Sequence, residues 1–143
     1  MSGICFFIGH RDTAESIKPA LYQAVEHHIA KCGVTEFIVG RYGSFDRMAA
    51  QAVIDAKSRH PGVSLTLLLP YYPTKRRAVL PDGFDGSFYP PGMESVPKRL
   101  AIVRANRSAV DCVQYLIACV WHPASNAYEL LQYAEKWALR GLI

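Results

Sequence analysis

The side chains best suited to chemistry in this chain fall directly after apolar runs. Gly9-His10-Arg11-Asp12 follows Ile4-Cys5-Phe6-Phe7-Ile8, and Gly40-Arg41-Tyr42-Gly43-Ser44-Phe45-Asp46 follows Glu36-Phe37-Ile38-Val39. A glycine at such a junction lets a ligand approach the backbone closely. Arg11 carries paired N–H donors that can grip a phosphate. His10 can donate a hydrogen bond or take part in acid–base chemistry. The competing account makes Arg11 and Asp12 a surface pair and His10 a packed ring, and the triplet alone supports both equally.

The second cluster reads as a loop feeding a helix N-terminus, where free N–H groups and the helix dipole favour an anion. Ser44 is expected there as the N-cap or as a ligand contact. Asp46, in the first turn, is placed to hold a ribose hydroxyl or to complement the dipole. Gly40 and Gly43 bracket the loop. It is neither a GxGxxG fingerprint nor a P-loop, because no Gly-Lys-Ser/Thr is present.

Two further clusters qualify. Leu100, Val103, Arg107, Val110 and Gln114 recur three or four apart, so Arg107 is expected beside an apolar helix face, flanked by Arg104 and Asp111. Arg107 is then either an internal ion pair with Asp111 at i,i+4 or, with Arg104, a ligand for phosphate. Asn106 points elsewhere on that helix. Ser125-Asn126 opens the last helix after a strand end, as a cap or as another anion site. Glu129, one turn in, is expected to face any ligand held there.

These clusters need a scaffold that brings strand ends together. Strands are expected over 4–8, 36–39, 64–69 and 115–121. Helices are expected over 16–31, from 44 to just before His60, over 97–113 and over 127–139, each with a helical apolar period. Pro19 fits only a first turn, and Gly33 is a plausible stop. Residues 71–91, rich in Pro, Gly, Tyr and basic residues, read as a long loop, a lid or binding loop, with a short strand near 84–89. Lys75-Arg76-Arg77 within it reads as a solvated turn. Gly141-Leu142-Ile143 could add a terminal strand. The order β-α-β-α-β-(loop, β)-α-β-α implies an α/β fold, a mainly parallel sheet with helices on both faces.

Composition agrees with a single domain spanning 1–143. Of the 143 residues, 50% are hydrophobic and 20% charged, and the formal net charge is +4. That excess suits small anions without requiring nucleic acid. No apolar run approaches the eighteen residues of a membrane span, and the N-terminus lacks a basic n-region. A cytoplasmic location without a signal peptide or membrane contact is therefore expected. Cys5, Cys32, Cys112 and Cys119 form no CxxC pair and read as buried free thiols, with neither disulfides nor zinc expected. His10, His27, His28, His60 and His122 lack metal-ligand spacing, and the adjacent rings of His27 and His28 are expected to point apart. No metal and no resident cofactor are expected.

Taken together, Cys5-Phe6-Phe7-Ile8-Gly9-His10-Arg11, Phe37-Ile38-Val39-Gly40-x-x-Gly43-x-x-Asp46-x-x-Ala49, Leu67-Leu68-Leu69-Pro70-Tyr71, Arg104-x-Asn106-Arg107, Tyr115-Leu116-Ile117-Ala118 and Ser125-Asn126-Ala127 resemble the YpsA-like branch of the SLOG superfamily. The resemblance spans nearly the whole chain. It implies a Rossmann-like three-layer sandwich related to the DprA proteins and to the cytokinin-activating phosphoribohydrolases. It further implies that the 9–11 turn, the 40–46 loop and the Ser125 turn line one pocket for a nucleotide or nucleotide-derived ligand.

The phosphoribohydrolase branch carries PGGxGTxxE where this chain has Pro123-Ala124-Ser125-Asn126-Ala127-Tyr128-Glu129. The glycines are absent, and Gln114 stands where an acidic residue often precedes the fifth strand. The leading expectation is therefore ligand binding by a sensor or signalling module, with Arg11 and Arg104 on phosphate and Asp46 on ribose. The first alternative is an N-glycosidase of nucleoside monophosphates, with Glu129 stabilising the ribose cation and Arg107 positioning it. The second is a DNA-processing accessory domain, nucleic acid being the less favoured partner. A scaffold role, including a homodimer, is the last.

Overall fold

The computed structural model describes residues 3–72 and 80–138. Five strands form one parallel sheet in the order β4-β3-β2-β1-β5. They are β1 (Gly3–Gly9), β2 (Val34–Val39), β3 (Ser64–Leu68), β4 (Gly86–Phe88) and β5 (Tyr115–Cys119). Four helices alternate with them: α1 (Lys18–Cys32), α2 (Ser44–Lys57), α3 (Ala101–Cys112) and α4 (Asn126–Ala138). The order and class match the alternation in the sequence.

The central strand β1 is a continuous apolar run, Ile4 to Ile8, because both sheet faces are covered there. Alternate residues serve different layers. Cys5 and Phe7 of β1, with Phe37 and Val39 of β2, pack beneath α1 and α2 against Leu21, Val25, Phe45, Met48 and Val53. Phe6 and Ile8, with Ile38, pack on the other face against Ala101, Ala105, Ala109, Val110, Leu130 and Ala134 of α3 and α4. The result is a three-layer sandwich. Phe37 is fully buried, and its truncation to alanine would cost about 3–5 kcal/mol.

Local signals act largely as expected. Gly33 ends α1 in the left-handed region, φ 75°, its N–H bonded to the His28 carbonyl. Pro19 sits in the first turn of α1, after a 3-10 turn at Glu15–Ile17. Strand β4 lies inside the irregular stretch, held when Asp85 accepts the Leu65 N–H at 2.8 Å and the Lys57 ammonium at 2.6 Å. Gln114 joins the start of β5 to β1, its side-chain carbonyl accepting the Ile4 N–H and its backbone N–H donating to the Ile4 carbonyl.

Several expectations need correction. Helix α3 begins at Ala101, after a separate 3-10 turn at Lys98–Leu100. Strand β5 ends at Cys119, and Trp121 lies beyond it, 54% exposed. The rings of His27 and His28 do not point apart; they meet edge-on at 5.7 Å. Cys5 is buried, which pushes its thiol far up from the usual range, but Cys112 is exposed. Lys75-Arg76-Arg77 and the 141–143 tail lie outside the described residues. Among the described residues, no helix is long and apolar enough to cross a membrane and no cluster of metal-ligating side chains occurs.

Candidate functional site

In this strand order β1 is the hinge of the topology, with β2 on one side and β5 on the other. Chain connections leave in opposite directions there, so the loops at the carboxyl ends separate and open a crevice. A cleft of about 340 Å³ occupies that position. It is lined by Gly9, His10, Arg11, Gly40, Asp46, Ser125 and Asn126, and also by Asp12, Tyr42, Asn106 and His122. Its floor is apolar, with Phe6, Ile8, Leu68, Ala105 and Leu130. Three separate sequence clusters thus meet at one place.

The loops are tied to each other before any ligand is considered. Thr13, buried, donates its hydroxyl to the His10 carbonyl at 2.9 Å, and its Oγ1 accepts the His10 N–H at 3.2 Å. That closes the turn after β1. Ser44 then clasps this turn from α2: its N–H donates to the Arg11 carbonyl at 2.8 Å and its Oγ to the Thr13 carbonyl at 2.7 Å. Ser44 is therefore the first residue of α2 and a strut between loops, not the cap. Gly43 takes the cap position at φ 121°, with no side-chain cap bond. A Cβ there would lie 2.4 Å from Arg11 Cα. Gly43 and Ser44 thus hold Arg11 in place without lining the cleft themselves.

The glycine at the end of β1 has a different reason from the one expected. A Cβ at Gly9 would lie 2.2 Å from Phe45 Cγ. The absent side chain admits the Phe45 ring, which anchors α2 to β1, while the same glycine forms part of the cleft wall. At Gly40 the neighbour is Asp46, whose Oδ2 would be 2.9 Å from an added Cβ.

Asp46 reaches back from the first turn of α2, its Oδ2 accepting the Tyr42 N–H at 3.1 Å. Burial pushes its carboxyl up to about 6, and the Tyr42 hydrogen bond only partly opposes this. Its other oxygen, Oδ1, has no hydrogen-bond partner among the described residues. It is not sealed off either, since no buried side-chain polar atom among the described residues lacks a partner. Oδ1 is thus an open acceptor in a low-dielectric wall.

His10 is buried and performs a structural task. Its Nε2 accepts the backbone N–H groups of Trp121 at 3.1 Å and of His122 at 3.3 Å. This assigns the ring proton to Nδ1. The Trp121 ring lies edge-on to it, centroids 4.1 Å apart. His10 thereby fastens the loop after β5 to the end of β1. That loop is further shaped by Ser125, whose Oγ donates to the His122 carbonyl at 2.7 Å and accepts the Tyr128 N–H at 3.1 Å. The second bond is an N-cap contact to the first turn of α4.

The third cluster is arranged otherwise than its spacing implied. The buried stripe of α3 is Ala101, Ala105, Ala109 and Val110. Small residues four apart let the helix lie close on the sheet, which turns Arg104 and Arg107 to the exposed side. Neither arginine lines the cleft. Arg107 forms no ion pair with Asp111; its guanidinium lies 5.3 Å from the Tyr133 ring centroid, and the Tyr133 hydroxyl donates to Asp111 at 2.7 Å. Asn106, expected to point elsewhere, is on the cleft wall beside Ala105. The i,i+4 alanines were the signal that would have placed it there. Glu129 is exposed and outside the lining.

The arrangement can bind. It offers an apolar floor, a guanidinium at the mouth, an open carboxylate oxygen, a carboxamide from α3 and the N-terminus of α4. No family model and no curated protein matches the chain. Its fold is similar to that of DNA processing protein A (DprA) from Streptococcus pneumoniae, with a TM-score of 0.64 and 15% identity over 95% of this chain and 48% of that one. DNA processing protein A from Helicobacter pylori, described for its unique single-stranded DNA binding mode, gives a TM-score of 0.61 and 18% identity over 94% and 61%. The chain spans about half to three-fifths of the length of these proteins, and what it shares with them is the Rossmann-like α/β fold.

Proposed function

We propose that the cleft beyond β1 and β5 binds a nucleotide or nucleotide-derived small ligand, as a sensor or signalling module of the YpsA-like kind. One observation carries the reading: Gly9–Arg11, Gly40, Asp46 and Ser125–Asn126, distant in sequence, line a single cleft at the topological switch point. Its volume of about 340 Å³ lies at the small end of ligand pockets, which run roughly 300–1,000 Å³. Arg11 pairs with a phosphate at the mouth, supported by the N-terminus of α4. Asp46 Oδ1 accepts a sugar hydroxyl. The floor of Phe6, Ile8 and Leu130 takes the base or another flat apolar group.

Glycosidic cleavage finds less support. The two residues assigned to it, Glu129 and Arg107, lie outside the lining. A second reading, contact with single-stranded nucleic acid, is favoured by the fold likeness to the two DNA processing proteins.

A thermal-shift and calorimetric screen of nucleosides and nucleotides tests the first reading. Stabilisation by a member of the panel, lost in Arg11→Ala and Asp46→Ala, is the expected result. A flat panel together with oligonucleotide binding that weakens steeply with salt would instead support the second.

A further inference from the structure

The loop after β5 is fastened by two imidazoles, and each holds it through a ring nitrogen that carries no proton. His10 Nε2 accepts the Trp121 N–H at 3.1 Å and the His122 N–H at 3.3 Å. His122 in turn uses Nδ1 to accept the Ala124 N–H at 3.2 Å. The backbone donors of 121, 122 and 124 thus all end on histidine lone pairs. The two rings lie 6.3 Å apart, centroid to centroid.

Such a lone pair exists only in the neutral ring, because in the imidazolium both nitrogens carry protons and donate. Protonated His10 sets an N–H against the two N–H groups it now receives, and protonated His122 does the same to Ala124. Two cations at that ring separation also repel. The turn after β1 has no such dependence. The His10 backbone N–H and carbonyl are clamped by the Thr13 hydroxyl at 3.2 and 2.9 Å, and a ring proton leaves those bonds alone. The part that lets go is therefore the loop after β5. It carries Ser125, which donates to the His122 carbonyl and caps α4 through the Tyr128 N–H. Ser125 and Asn126 are cleft wall.

Other charges face the latch. Arg11 and Asp12 share the wall on the turn of His10 itself, and Tyr42 and Asp46 share it from the side of α2. The first turn of α4 adds Glu129, exposed. Asp46 sheds its negative charge over the same range in which imidazoles gain theirs, since burial pushes its carboxyl up to about 6.

We propose that His10 and His122 form an acid-released latch: with both rings neutral the 121–125 loop is held against the end of β1, and their protonation frees it and opens that wall of the cleft. Histidine is the side chain that ordinarily changes charge in this part of the pH scale. The latch needs no bound ligand, so it stands or falls apart from the nucleotide reading.

NMR of the ligand-free full chain from about pH 7.5 to 5 tests it, following ring C–H shifts and amide exchange together. As the two rings protonate, protection factors at 121 and 122, corrected for intrinsic exchange at each pH, are expected to fall by about tenfold or more. The Ala124 amide resonance should move with the His122 ring, and protection in α1 should stay constant. His10→Gln supplies an uncharged carbonyl oxygen in place of the ring acceptor and should make protection at 121 and 122 independent of pH. His122→Asn should do the same for the Ala124 resonance; His122 is exposed, so this variant serves even if His10→Gln does not fold. Asp46→Asn should leave the fall in place. Constant protection while the rings protonate overturns the latch, and so do rings that stay neutral throughout. A fall that survives in His10→Gln, or vanishes in Asp46→Asn, assigns it to another group and overturns the latch as well.

Discussion

The ring of Phe45 occupies the space that a side chain on Gly9 would fill, with Cγ 2.2 Å from where its Cβ would lie. The end of β1 and the first turn of α2 are thereby locked at one distance. Gly9→Ala must push Phe45 or the strand aside, and overpacking of this kind costs about 1–3 kcal/mol. Denaturant unfolding of Gly9→Ala is expected to show that loss. Combining it with Phe45→Leu should recover part of the loss, because the ring is the obstacle. A Gly9→Ala variant as stable as the parent would refute the account.

Gly43 is constrained for a different reason. At φ 121° it lies where L residues are rarely found, and an added Cβ would meet the Arg11 backbone at 2.4 Å. Gly43→Ala is expected to destabilise the fold by roughly 1–3 kcal/mol through backbone strain alone. It should also weaken ligand binding, although Gly43 itself lines no part of the cleft, because Arg11 is displaced. Unfolding and titration of the same variant check both effects.

The buried carboxyl of Asp46 makes stability depend on pH in a defined direction. Its folded-state value of about 6 exceeds the ordinary 3.8. Between these two values the folded state holds a proton that the unfolded state has released. Stability therefore falls as pH rises from about 4 to 6 and stays lowered above that. Asp46→Asn should abolish this segment of the pH profile and raise stability at pH 7 by about 1–3 kcal/mol. Equilibrium unfolding from pH 4 to 8 measures it; a parallel profile for both proteins would contradict the assignment. The same variant is expected to bind a hydroxylated ligand less well, so the residue trades stability for recognition.

His10 should reveal itself in the backbone, not in turnover. Its Nε2 accepts two consecutive amides, those of Trp121 and His122. In His10→Ala those amides lose their shared partner, and their hydrogen-exchange protection is expected to drop by roughly tenfold. Protection in α1, on the opposite face, should be unchanged. Unaltered exchange at 121 and 122 would mean that the imidazole does not hold the loop.

The arginines separate a phosphate site from general basic attraction. Arg11→Ala is expected to weaken an anionic ligand by about tenfold or more, the effect of one charge-assisted contact. Arg104→Ala and Arg107→Ala, on the exposed side of α3, should change it less than about twofold at physiological salt, where distant surface charges are screened. Equal losses across the three would move the phosphate site away from the cleft.

The amino-acid sequence by itself determined the class of this fold. Apolar runs of strand length alternate with helical periods, Pro19 and Gly33 mark helix ends, and polar clusters stand at strand ends, all readable from neighbours a few residues apart. It also placed Gly9–Arg11, Gly40–Asp46 and Ser125–Asn126 where strand ends must lie. Only the tertiary structure decided which side chains face the cleft. Helix α3 turned on this point: leucine, valine and arginine spacing suggested one face, but Ala101, Ala105 and Ala109 provide the close approach to the sheet. Alanine carries little hydrophobic signal, so its stripe is faint in a sequence, yet its small volume sets the helix rotation. That rotation sends Asn106 to the cleft and Arg104 and Arg107 to solvent. The same holds for Gly9 and Ser44, whose partners Phe45 and Thr13 lie 36 and 31 residues away; close packing between elements is a property of the assembled chain, and no local pattern encodes it.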